Sequence, residues 1–415
     1  MNTFTYIFLI ALVISYAVQF WLSMRQSAYV LKHRDQVPEA FVNSVTLEAH
    51  QKAADYTIEK GKLSDIDSVI GIIFLLLLTL GGGINMIAGF WTSFELSPIM
   101  TGIATLGSTF LIMSIFELPT SLYQTFVIEE KYGFNNSSIK QFFTDLGMQL
   151  VLVAVIGLPL LALILWVMQA IGDSWWFWTW AILISFSLLM SWLYPTLIAP
   201  LFNKFTPLED GTLKDKINQL LQRCGFSSNG IFIMDGSKRS GHGNAYFTGM
   251  GNNKRIVFFD TLAESLDDDE MEAVLAHELG HFKRKHVIKM LIASSLMSLI
   301  SLAILGWLIQ QSWFFTGLGV DMNVASNAVA LLLFMLVSPV FTTFMTPISA
   351  YFQRKFEFEA DDFAAEHAQA GKLISGLVKL YEENASTLTP DPLFSAFHYS
   401  HPPAAIRIAH LEPKL

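Results

Sequence analysis

Residues 271–310 read MEAVLAHELGHFKRKHVIKMLIASSLMSLISLAILGWLIQ, and their character changes halfway along. Up to Lys289 the run mixes histidine, carboxylates and basic residues; from 290 to 310 it carries no charge at all. An α-helix rises about 1.5 Å per residue, so about 20 apolar residues reach across a bilayer core. The stretch therefore predicts a polar helix, starting near Ser265, that leads into a membrane span. No Gly or Pro follows His286 before the span begins, so the helix is expected to run on into it.

Working outward, six more uncharged runs are long enough to cross a membrane: roughly 4–24, 68–91, 98–116, 147–171, 175–199 and 326–350. The composition agrees, with 53% hydrophobic and only 15% charged residues, against about 25% charged in an ordinary soluble chain. All 26 Lys and Arg fall in 25–67, 117–146, 200–289 and after 353. The alternate connections, 92–97, 172–174 and 311–325, contain none. By the positive-inside rule the N-terminus is outside, and the two large polar segments and the C-terminus are cytoplasmic. The first run is not read as a cleavable signal, because its flanking positive residues, Arg25, Lys32 and Arg34, lie on its far side. The net charge of −9 and the lack of a basic cluster exclude nucleic acid as a partner.

Four regions follow. Residues 1–199 hold the first five spans, with a polar helical segment at 25–67. Residues 200–289 form a cytoplasmic segment, 290–350 a hairpin of two spans, and 351–415 a cytoplasmic C-terminal part. Within 200–289, which resembles a small soluble domain, IFIMD (231–235), NAYFTGMG (244–251) and KRIVFFD (254–260) read as short strands between turn residues. Asp267, Asp268 and Asp269 suit the first turn of the helix that follows, where the dipole favours carboxylates.

That helix carries His277-Glu278-Leu279-Gly280-His281. Residues four apart share a helical face, so both imidazoles can reach one cation. Glu278 lies about 100° round from His277 and can face a water without itself being a ligand. A catalytic zinc needs a third protein ligand and an open position. With a single cysteine, Cys224, a Cys-ligated zinc is not expected, so the ligands are drawn from His and carboxylates. Glu357, in EFEAD (357–361), is the leading candidate, and Glu359 is the alternative. Asp361, one turn after Glu357, can accept the free N–H of a ligand histidine. The two ligand helices flank a span hairpin, so both emerge on the same side of the membrane. His286 reads as solvating a helix end, His242 and His398 as surface or supporting groups, and Glu129 and Glu130 as interface carboxylates.

With these motifs stand FVIEEKYGFNN (126–136), YPTLIAPLFNKFTPLEDG (194–211), DGSKRSGHGNAYFTG (235–249), KRIVFFDTL (254–262) and HYSHPP (398–403). Together and in this order, over essentially the whole length, they resemble the CAAX prenyl protease 1 family of membrane zinc proteases. The resemblance implies seven transmembrane helices ringed around an intramembrane chamber, capped by a small α+β zinc-protease domain of the HExxH, gluzincin-like type. The fold class expected is thus an all-α multi-pass membrane protein bearing that domain. It implies one zinc (Zn2+) per chain on His277, His281 and Glu357, with Glu278 as general base. Asn244 and Ala245 match the strand that pairs with substrate backbone. His401 and Arg407 match the residues that bind the carbonyl oxygen and the tetrahedral intermediate. Gly243 and Ile406 depart from the family's usual serine and acidic residue at those positions.

The expected partners are a peptide or protein substrate, prenylated or not, and membrane lipid; the expected home is a bacterial inner membrane or the endoplasmic reticulum. Three other readings remain. A quality-control membrane metalloprotease shares HExxH and the EFEAD pattern but lacks the NAYF and HYSHPP combination. A transporter or channel with structural zinc would place ionisable residues in its spans, and the seven runs have none. A catalytically dead scaffold would have no use for Glu278.

Overall fold

The computed structural model describes residues 1–248 and 254–415. Its membrane part begins with α1 (Thr3–Lys32), α2 (Leu47–Leu78), α3 (Gly83–Thr92), α4 (Pro98–Tyr123), α5 (Ile139–Leu152), α6 (Leu158–Ala170), α7 (Trp175–Leu193) and the short α8 (Ala199–Phe202). π-helical turns at Gln124–Glu129, Val153–Gly157 and Tyr194–Ile198 carry α4 onward, join α5 to α6 and join α7 to α8. A proline lies near each (Pro119, Pro159 and Pro195) and denies the helix a regular backbone donor there.

The polar domain follows as β1 (Phe205–Pro207), α9 (Thr212–Arg223), β2 (Ile231–Met234), β3 (Ala245–Thr248), β4 (Arg255–Phe259), α10 (Asp260–Ser265) and α11 (Asp268–Lys283). Then come α12 (His286–Leu308), α13 (Ser312–Gly317), α14 (Asn327–Thr342), α15 (Thr346–His367), α16 (Ala370–Glu383), α17 (Pro392–His398) and α18 (Ala404–Leu411). The sheet has the order β1-β2-β4-β3, with β2 and β4 parallel and both outer pairs antiparallel. The strand β1 was not expected: it is three residues long and ends in Pro207, which only an edge strand tolerates. Residues 249–251 of the expected NAYFTGMG strand lie outside the described residues.

Among the described residues six helices are long and apolar enough to cross a membrane, and counting the bent pair α2–α3 as one span gives seven. That pair turns by 54°, where a single straight run over 68–91 was expected. The break falls at Gly81-Gly82-Gly83, and Asn85 ties it to the distant 319–321 turn through Gly319 O (2.8 Å) and Asp321 N (2.9 Å). Several helices outrun their apolar stretches: α2 starts at Leu47, well before the apolar run at 68, and α15 continues the seventh span without a long loop.

Burial along the spans is one-sided. In α4 the buried positions are Gly102, Thr105, Leu106 and Thr109, all early. In α6 they are Leu165, Val167 and Met168, all late; in α12, apart from His286, they run from Leu302 to Leu308. These positions gather at the end where the connections lack Lys and Arg, around Phe8, Phe314 and Leu333. Toward the polar domain α12 and α7 carry exposed apolar side chains, as at Ile288, Ile292, Leu296, Leu189 and Trp192, with His286 the buried exception. Close packing of the spans is thus concentrated at the end where the connections lack Lys and Arg.

Gly319 tests the contact that holds the packed end. Its φ is +78°, and a Cβ there would sit 2.7 Å from Thr79 O. Gly82 has the same φ but no crowding backbone. Gly82→Ala should cost only the left-handed conformation, about 1–2 kcal/mol. Gly319→Ala adds a steric clash and should lower the melting temperature further, as read by thermal unfolding of the two variants in detergent.

Candidate metal centre

The centre starts from how α11 is capped and which face it buries. Asp267 accepts from the backbone N–H groups of Asp269 and Glu270, and Glu270 returns a bond to Asp267 N, a reciprocal capping box. Lys372 and those N–H groups hold the Asp267 carboxyl down at about 2, so the cap stays charged. Val274, Leu275, Ala276 and Leu279 enter a core with Ile217, Leu220, Phe258, Leu262 and Leu377. The adjoining face, with His277 and His281, is pressed against α15. Gly280 makes this possible: a Cβ there would lie 3.0 Å from Ala360 Cα and 3.1 Å from Ala360 O.

At that contact three ligand-capable side chains converge. His277 Nε2 and His281 Nε2 are 3.2 Å apart, and Glu357 offers Oε2 at 3.4 Å from the first and Oε1 at 3.2 Å from the second. Among the described residues this is the one group of three whose donor atoms lie close enough to share a cation, all within 4.8 Å. Glu359, the alternative third ligand, faces away, toward His286. Glu357 Oε2 is buried with no hydrogen-bond partner. A buried carboxylate oxygen without a donor, beside two imidazole nitrogens, fits a bound metal cation.

The tautomer of His277 follows from its other side. Its Nδ1 lies 2.8 Å from Asp361 Oδ1 and 3.2 Å from Arg407 Nη2. A guanidinium can only donate, so the carboxylate is the partner of an Nδ1–H, and Nε2 is left as a lone pair toward the site. Asp361 is fully buried and takes two bonds from Arg407 on α18, Nε at 2.9 Å and Nη2 at 2.5 Å. Arg407 thus spends two donors on Asp361; its Nη1 lies 3.6 Å from Glu357 Oε2.

Glu278 stands on α11 between the two histidines. Burial pushes its carboxyl up, against the pull of His277 and His281. His401, in the loop before α18, is mostly exposed; its Nε2 is 3.4 Å from Glu357 Oε1, and its Nδ1 lies 2.8 Å from Ser400 Oγ. Asn244 immediately precedes β3, an outer strand of the sheet that packs on α11. Its carbonyl is already taken by Phe259 N–H (2.9 Å), and its side chain accepts from Ala245 N–H (2.8 Å). By antiparallel alternation the backbone groups of Ala245 and Phe247 face the open edge.

Other expectations are corrected. The helix does not continue from α11 into the span: it breaks at Arg284 and Lys285, where Lys285 has φ +59°. His286, read from the sequence as solvated, is buried and bonded to His281 and Glu359. Neither feature has a local signal, because no Gly or Pro marks the break. His242 stacks on Phe134 and approaches Asn384, and His398 packs on Phe394 and Phe397; both are away from the metal ligands. Glu129 is engaged by the hydroxyl of Tyr56 and by Gln124.

A HExxH helix facing a glutamate from a second helix, at the edge of a bundle of membrane spans, defines a metallopeptidase built into a membrane. The comparisons narrow this. Residues 26–204 match the family described as CAAX prenyl protease N-terminal, five membrane helices, and residues 207–414 match peptidase family M48. The chain is 37% identical over 408 residues to a CAAX prenyl protease 1 homolog of Dictyostelium discoideum, covering 95% of this chain and 94% of that one. It is 31% identical over 458 residues to the Homo sapiens CAAX prenyl protease 1 homolog, covering 98% and 95%. The crystal structure of S. mikatae Ste24p superposes with a TM-score of 0.90 at 31% identity, covering 99% of each chain. The chain belongs to peptidase family M48, in its CAAX prenyl protease 1 group, and is a metalloendopeptidase.

The Asp361–Arg407 pair is the most deeply buried charge pair at this centre. Arg407→Ala would leave the buried Asp361 charged with the His277 N–H as its remaining partner, and should cost about 3–5 kcal/mol in chemical unfolding. Lys214→Ala, which removes the partner of the exposed Asp210, should move the same measurement by less than about 1 kcal/mol.

Proposed function

We propose that the protein is a zinc endopeptidase that cuts near the C-terminus of CAAX proteins, with zinc held by His277 Nε2, His281 Nε2 and Glu357. The observation that carries this is the convergence of those three side chains around an unpartnered buried carboxylate oxygen. Zinc in such a setting supplies Lewis acidity, drawing electron density from a carbonyl oxygen and making water acidic near neutral pH.

The remaining chemistry belongs to the chain's own residues. Glu278 takes a proton from the attacking water as the new C–O bond forms, and passes it to the nitrogen as the C–N bond breaks. Its burial-raised basicity suits it to that role. His401 donates toward the oxygen on which negative charge develops, and Arg407 adds positive charge through the donor it does not share with Asp361. Asp361 orients His277. The substrate backbone adds to the outer edge of β3, pairing with the Ala245 carbonyl and with Phe247, while Asn244, whose side chain holds the Ala245 N–H, fixes the start of that strand. On this reading, 200–289 and 351–415 build the centre, and 1–199 and 290–350 hold it at the membrane. The centre and the C-terminus are cytoplasmic and the N-terminus is outside, as the distribution of the 26 Lys and Arg supports. The CAAX substrate class is supported by the names of the relatives. A prenylated peptide should therefore be cleaved faster than its unprenylated copy; equal rates would favour a broader membrane protease.

Glu278→Gln should keep about one zinc per chain while turnover falls about 10²–10⁴-fold, measured by metal analysis and steady-state cleavage of one peptide. Wild-type turnover with zinc retained would sink the mechanism. Orientation is checked with Cys224 replaced and single cysteines placed at Ser93 and Ser228. The first should react only from outside, the second only from the cytoplasmic face.

A further inference from the structure

Behind His281, on the side away from Glu357, lies a second chain of polar groups that the reaction above does not use. His286 is 1% exposed, and its Nδ1 is 3.0 Å from His281 Nδ1. Its Nε2 is 3.0 Å from Glu359 Oε2, and its ring stacks on Phe356 at 4.3 Å and 12°. Lys289 stands 3.7 Å from Glu359, which favours the ionised carboxylate.

The direction of each bond follows from what each atom can do. An ionised carboxylate only accepts, so His286 Nε2 carries the proton that it donates to Glu359. A neutral imidazole protonated at Nε2 has a lone pair at Nδ1, which accepts from His281 Nδ1–H. His281 is then left with its lone pair at Nε2, the atom facing His277 Nε2 and Glu357. The same result is reached for His277 by a different route, through Asp361.

This arrangement requires the helix break. On an uninterrupted helix a residue five positions on lies about 140° round the axis, out of reach of the first. The left-handed Lys285, which costs about 1–2 kcal/mol in a non-glycine residue, lets α12 start in a new direction with His286 under His281. Strain held in place by a buried hydrogen-bonded side chain points to a function for that side chain.

We propose that Glu359 and His286 are positioning residues that fix the tautomer and ring orientation of His281, so that Nε2 is ready for the metal. This rests on the reading of His277, His281 and Glu357 as the ligands. His286 itself is no ligand, since His281 stands between it and the other two.

The test uses the full-length protein in detergent, with zinc affinity read by chelator competition and the site's symmetry by the visible spectrum of the cobalt(II) form. His286→Phe keeps the stack on Phe356 but removes the acceptor. It should weaken zinc binding about 10–100-fold and shift the cobalt spectrum. His286→Asn, which restores an acceptor near the position of Nδ1, should recover most of the affinity. Glu359→Ala changes a partly exposed side chain and should weaken zinc in the same direction, while the packing control Phe356→Leu should leave affinity and spectrum near those of the wild type. Wild-type affinity in His286→Phe, or equal losses in the Phe and Asn variants, would overturn the positioning role. Complete loss of zinc in His286→Phe, matching His281→Ala, would make His286 a ligand and overturn it too. Failure of the wild-type protein to bind zinc, or full zinc retention by His281→Ala, would instead overturn the ligand assignment on which the proposal rests.

Discussion

A single buried carboxylate organises the centre. Asp361 has no exposed surface, yet it meets His277 from α11 and takes two bonds from Arg407 on α18. A charge so placed is tolerable only when it is paired and fully hydrogen-bonded. The requirement works in both directions: the pairing locks three helices from distant parts of the chain into one arrangement, and that arrangement fixes the tautomer of His277. The contact also needs the helices to be unusually close, and Gly280 allows it by putting no side chain between α11 and the backbone of Ala360.

The membrane part follows another logic. Apolar side chains gain little from packing on one another rather than on lipid, so close fit and small residues do the work of association. At the packed end Gly102 is set against Ala328 and Leu165, and Gly306 against Trp176. Nearer the polar domain the spans have few buried positions, and the connection between the two parts is carried instead by helices that belong to both. α15 is the clearest example, since it continues the seventh span and bears Glu357 and Asp361. α12 is the other: it begins with His286 beneath the centre and ends in the packed core. The centre is therefore mounted on the hairpin of spans, which explains how residues on either side of that hairpin meet.

Much of this was legible in the sequence because it is local. Uncharged runs of about 20 residues announce spans through the cost of burying charge in lipid. The spacing of His277 and His281 announces a shared helical face, and Glu357 comes into play because the span hairpin returns the chain to the same side. The three longer strands were visible as apolar runs between turn residues. The strand β1, the bend between α2 and α3, and the π-helical turns were not, because short elements and partial breaks are decided by what they pack against.

The sequence by itself determined that the chain crosses a membrane several times and carries a His-Glu cluster suited to a metal, since both depend on spacing and on the transfer of side chains between water and oil. Tertiary structure alone decided that Glu357 rather than Glu359 faces His277 and His281, that Arg407 is chiefly the partner of Asp361, and that His286 is buried against His281. Each of these depends on the rotation of one helix relative to another. Neighbouring carboxylates on one helix, such as Glu357 and Glu359, have the same chemistry and differ by about 200° in direction. Only the helix packed opposite, held close by Gly280 and anchored by the Asp361 pair, selects between them.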